Sequence, residues 1–169
     1  MAEILQTLRN KTTVDIDGTP FEVSPAIIEK SVQIFELRVL VFFQDDEIAD
    51  DILEAMFKIQ LIIFMIDDYY EQVWNYDRTR SEPFWNEITA LIMQIGVPGE
   101  SVNTFLGDLV AYEKTEQQMR AGETPDSINL EYFYLLKSCD VRLQRHLVQY
   151  IQSEKICEST NEQIDYDIV

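Results

Sequence analysis

Asp67, Asp68 and Glu71 close the stretch Gln60 to Glu71, QLIIFMIDDYYE, and are the residues of this chain best suited to holding a cation. Asp67 and Glu71 are four apart, so a helix places their carboxylates on one face about one turn apart. Such oxygens are hard ligands for Mg2+, which takes one or two carboxylates and completes its shell with water and substrate phosphates. Immediately before them, Leu61 to Ile66 is apolar without interruption. A helix with no polar face is buried on all sides, and acids entering a core must be paired, protonated or bound to a cation. The stretch therefore predicts a central helix that ends at the wall of a polar cleft, with Mg2+ as cofactor. Asp50, Asp51 and Glu54 repeat the spacing, but they sit where a helix begins, and there acids complement the positive end of the dipole.

The elements that must position these acids read as helices. The chain has 169 residues, 46% hydrophobic, with only five Gly and five Pro, enough for one domain with a sizeable core and poor in strand and turn formers. The expected fold is all-α, a single helical domain over 1–153 followed by a polar, loosely ordered tail over 154–169. One short β-hairpin is expected at 12–23, where β-branched residues flank Asp17-Gly18, a pair that tolerates the positive φ of a tight turn. Ser24-Pro25 predicts a helix start, with the stripe Ile27, Ile28, Val32, Phe35, Val39 and Phe42 running to about Phe43. The central helix is expected from about Gln44, capped by Asp45, to about Trp74. A loop follows over 75–82, and a helix after Pro83 carries Phe84, Trp85, Ile88, Leu91, Ile92 and Ile95. Gly96-Val97-Pro98-Gly99 ends it. A helix over about 101–120 and a last one over about 130–152 complete the bundle.

Composition excludes several functions. Thirteen basic against thirty-one acidic residues give a charge of −18, which repels phosphate backbones and argues against direct nucleic-acid binding. The longest apolar run falls far short of the ~20 residues that span a bilayer. Cys139 and Cys157 have no CxxC spacing, which predicts reduced thiols. With no export signal visible at the N-terminus, MAEILQTLRNK, the expected location is cytoplasmic. The single histidine, His146, has no Glu three residues before it, so a di-iron bundle is not expected, and His146 receives no role.

The segment FMIDDYYE resembles the first metal-binding motif of class I terpene synthases, an apolar helix ending in DDxxD or DDxxE. The resemblance continues through Phe105, Leu109, Tyr112, Glu116, Met119 and Arg120, the break Ala121-Gly122-Glu123-Thr124-Pro125, and a stretch from Glu131 to Arg142 similar to the family's diphosphate-sensing region. It implies that Asp67, Asp68 and Glu71 hold Mg2+, that Lys137 or Arg142 meets the diphosphate with Asp140 as linker, and that Arg78 and Arg80 add phosphate contacts. Lys137 stands where the family has Arg, and an ammonium lacks the bidentate fork of a guanidinium. The second metal motif, Asn-Asp-x-x-Ser-x-x-x-Glu, is absent, so the likeness is to the front portion of a synthase.

The function expected on this basis is Mg2+-dependent binding of a prenyl diphosphate, with Phe64, Tyr69, Tyr70 and Trp85 as candidate aromatic walls and with a partner chain or a second copy as a source of missing ligands. The alternative, carried by the net charge, is an acidic helical interaction module, an inhibitor or nucleic-acid mimic without catalysis.

Overall fold

A computed structural model describes residues 2–42, 48–72, 78–122 and 129–160, apart from the side chains of 2–5, 70, 72, 78 and 154–160. The order is α1 (Ala2–Arg9), β1 (Thr13–Ile16), β2 (Thr19–Glu22), α2 (Pro25–Phe42), α3 (Asp50–Gln72), α4 (Arg78–Gln94), α5 (Gly99–Arg120), α6 (Leu130–Lys137) and α7 (Cys139–Thr160). The fold is all-α with one antiparallel hairpin.

α3 is the axis, touching α2, α4, α5 and α7. Leu61, Ile62, Ile63, Phe64 and Ile66 are all buried, with Met65 half-buried. At roughly 1.5–3 kcal/mol for each side chain removed from water, these five contribute on the order of 10 kcal/mol. The buried faces of α2 (Ile28, Val32, Phe35, Val39) and α4 (Ile88, Leu91, Ile92) pack on either side of it, with Phe35 edge-on to Phe57 at 5.5 Å. α7 supplies Leu143, Leu147, Val148 and Ile151 to the same core.

The hairpin forms as its sequence predicts. Asp17 and Gly18 take positive φ, 52° and 74°, the pairing a two-residue type I′ turn needs. β1 turns Val14 and Ile16 inward, Phe21 meets Phe84 at 5.0 Å, and the Asp17 N–H donates to Glu87. Ser24 caps α2, its Oγ accepting from the Ile27 N–H at 3.3 Å. α4 ends in a Schellman closure, with Gly96 at φ 91° and the Val97 N–H bonded to the Ile92 carbonyl.

Several boundaries differ from expectation. α1 is a helix in a stretch to which the sequence reading assigns none, and its Leu8 is buried in the core. α3 begins at Asp50, with the Ala49 carbonyl taking the first turn's N–H groups, and the expected cap Asp45 and the end near Trp74 lie outside the described residues. α4 begins at Arg78 and runs through Pro83, because a proline in the second turn forfeits a single intrahelical bond. The expected helix over 130–152 is two, broken at Ser138 and capped at Asn129, whose side chain accepts from the Tyr132 N–H. α7 continues to Thr160, for no Gly or Pro interrupts it after Cys139.

Candidate carboxylate centre

α3 and α5 meet where α3 leaves its all-apolar turns, and there three carboxylates converge. Asp67 comes from α3, while Glu113 and Glu116, three apart on one face of α5, come from the facing helix. Their ligand oxygens all lie within 4.8 Å of one another. Asp68 and Glu71 do not join this group, for a helical step of 100° turns Asp68 away from Asp67. Asp68 lines a different hollow, with Val23, Pro25, Ile27 and Met65. Glu71 is half exposed and paired with Arg120 at 3.1 Å. The DDxxE run thus contributes one of its three acids to the centre.

Glu113 is the innermost member, 3% exposed, and its Oε2 has no hydrogen-bond partner. Burial, with Asp67 and then Glu116 nearby, pushes its carboxyl up to about 8. Asp67 rises to about 6, again through burial first and then the charges of Glu116 and Glu71. Tyr112 lies against the same acids and is held above the ordinary phenol range, chiefly by burial and then by Glu116, with which its hydroxyl forms a hydrogen bond. Arg120, in the last turn of α5, reaches Glu71 Oε1 at 3.1 Å and Glu116 Oε1 at 3.4 Å. Arg120, with Lys30 acting on Asp67 from beside the Phe64 ring, thus offsets part of the charge of four carboxylates.

Asp67 and Glu113 open onto a cavity of about 160 Å3 that Ile63, Phe64, Leu109, Tyr112 and Cys139 also line, together with Lys137 and Asp140. Burial pushes Cys139 up to about 12, so it presents a neutral thiol. Lys137 is exposed and has no ion-pair partner among the described residues. Asp140 also lines the cavity, but its carboxylate takes a bond from Arg38 Nη2 at 2.7 Å, and Arg38 in turn holds Gln60. Arg142 is turned elsewhere. It bonds Asp108 at 2.7 Å and the Leu135 carbonyl, with its guanidinium 5.9 Å from the Phe105 ring. The Arg78 side chain lies outside the described residues, and Arg80 donates to the Tyr69 hydroxyl on another face of α3. Of the expected aromatic walls Phe64 lines this cavity, Tyr69 lines two other hollows, Trp85 is half-buried on α4 and the Tyr70 side chain is not described. His146 stacks on Phe105 at 5.0 Å and meets Ser101, a packing role.

No motif in the sequence singles out Glu113, yet α5 carries a signal. Its buried positions are Val102, Leu109, Glu113 and Gln117, spacings of seven, four and four that keep one helical face. Two polar residues there continue an inward stripe that apolar ones begin.

Comparison of the chain with protein-family models, with curated proteins and with solved structures found no match in any of the three.

Proposed function

We propose that the protein binds a divalent cation, Mg2+ by the chemistry of the ligands, through Asp67, Glu113 and Glu116, and that the cation and Lys137 together hold the diphosphate end of a small ligand, a prenyl diphosphate in the first instance. The observation that carries this reading is the buried, unpartnered Oε2 of Glu113 beside two further carboxylates. A carboxylate in that position is either protonated or neutralised by a cation. The donor set is all oxygen, which suits Mg2+ and disfavours the softer metals that select thiolate or imidazole.

The bound cation would supply charge neutralisation for phosphate oxygens. Arg120 holds Glu116 and Glu71 in place, the Tyr112 hydroxyl orients the Glu116 carboxylate, and Lys137, which lines the same cavity, offers a charge-assisted contact. Ile63, Phe64 and Leu109 keep the acid side of the cavity dry. A volume of about 160 Å3 is below the about 300–1,000 Å3 of ordinary ligand sites, so it suits a diphosphate and its first carbons rather than a chamber for a whole prenyl chain. The reading is therefore of binding, not of cyclisation.

Calorimetry decides it. Mg2+ should bind wild type in the absence of any other ligand, inorganic pyrophosphate and farnesyl diphosphate should each bind more tightly in its presence, and Asp67→Asn or Glu113→Gln should abolish the metal response. Lys137→Ala should weaken the diphosphate by about 1.5–3 kcal/mol while leaving Mg2+ alone unaffected. Metal binding that survives Glu113→Gln undiminished would rule out this centre.

A further inference from the structure

On the other side of α3, the outer edge of β1 lies open along a groove, and we propose that it receives an extended basic peptide as a third strand. The hydrogen-bonding parity of the hairpin shows which backbone groups face out. The two-residue turn makes Ile16 and Thr19 a hydrogen-bonded pair, and the Val23 N–H bonded to the Thr12 carbonyl at 3.0 Å makes Thr12 and Val23 another. By alternation Val14 pairs with Phe21, so the N–H and C=O groups of Thr13 and Asp15 point away from β2. They have no backbone partner among the described residues. β2 is blocked on its own outer edge, where Pro20 stands opposite Asp15 and lacks an N–H. One edge of the hairpin is thus closed to a further strand, and the other presents a ladder.

That open edge does not face bulk water alone. Thr13 and Asp15 border a groove of about 640 Å3 whose far wall is one face of α3, formed by Asp51, Glu54 and Lys58 at helical spacing, with Leu91 of α4 among its apolar lining. The volume is within the range of about 300–1,000 Å3 typical of binding sites. Charge selects the occupant. Lys58 is neutralised by Glu87 at 2.5 Å, which leaves Asp51, Glu54 and Asp15, whose Oδ1 also accepts from the Gly18 N–H at 3.0 Å, against Lys11. A strand carrying Lys or Arg meets those acids, and small apolar side chains between them fit beside Leu91. The main-chain ladder supplies affinity and the acids supply selection. A second copy of this chain, bringing the same acids and a charge of −18, is repelled from the same edge.

The test uses the full chain and a fluorescein-labelled hexapeptide of alternating Lys and Val, with an alternating Glu and Val peptide as control, read by fluorescence anisotropy. The basic peptide should bind at least tenfold more tightly than the acidic one. N-methylation of alternate residues should weaken it tenfold or more in one register and little in the other. Thr13→Pro removes an outward N–H that β2 does not use, so it should abolish binding with the hairpin retained, as checked by circular dichroism. Asp51→Lys with Glu54→Lys gives a second route, lowering affinity for the basic peptide tenfold or more without touching the hairpin. No binding of the basic peptide at millimolar concentration overturns the proposal. So does binding that ignores both N-methylation registers, or that survives Thr13→Pro and the charge reversal alike. A wild-type dimer that Thr13→Pro converts to monomer assigns the edge to a second copy and overturns it too.

Discussion

Glu113 shows how one residue sets the pH response of a fold. Its carboxyl, at about 8, and that of Asp67, at about 6, both sit above the ordinary carboxylate range. The native state therefore holds these protons more tightly than the unfolded chain does. The resulting stability is fully present below about pH 4 and is lost as pH rises through 6 and 8. The larger share of that loss belongs to Glu113, whose shift is greater and whose burial is more complete, and the smaller to the partly exposed Asp67. Without metal, Glu113→Gln should therefore raise stability by about 1–3 kcal/mol at pH 8.5 and change it little at pH 5, as thermal melts at the two pH values will show. Arg38 offers a second case. It joins Gln60 on α3 to Asp140 on α7 in a site where the pair is 13% and 16% exposed. Arg38→Met leaves an acid nearly buried and unpaired, which should cost on the order of 3 kcal/mol, and adding Asp140→Leu should recover part of that loss in urea denaturation.

Among the elements, α4 and the hairpin each close on a glycine held at positive φ. Gly96 holds φ 91° with nothing within 4 Å of where a Cβ would sit, so Gly96→Ala is a test of conformation alone. It should destabilise by about 1 kcal/mol, measured by chemical denaturation, with no change in the denaturant slope. The helices α3 and α5 are poised differently from their neighbours. Each carries acids into the contact between them, so like charges face one another there, and a cation placed among them would tie the two helices together.

For the whole molecule, a charge of −18 makes self-repulsion a general load on stability, one that salt screens. The melting temperature should rise with NaCl for every variant. Mg2+ at matched ionic strength should add a further increment, about 1.4 kcal/mol at tenfold excess over its dissociation constant, and that increment should vanish in Asp67→Asn and Glu113→Gln. Scanning fluorimetry in paired salts separates the two effects. Among the described residues no helix is long and apolar enough to cross a membrane.

The sequence by itself determined the helical class, the hairpin at Asp17-Gly18, the buried turns of α3 and the presence of Asp67 in a concavity, because each follows from local periodicity, turn conformation or an unbroken apolar run. Which acids share a site was not local. Asp67, Asp68 and Glu71 are neighbours along one helix, yet 100° per residue turns Asp68 to another hollow, and Glu71 is drawn off by Arg120. Glu113 and Glu116 join Asp67 across 46 and 49 positions of chain only because α5 crosses α3 at that height. The same holds for Arg142, whose charge is taken by Asp108, and for Asp140, taken by Arg38. Helix and turn geometry are written in adjacent residues, whereas the pairing of charges between helices depends on the crossing that packing selects.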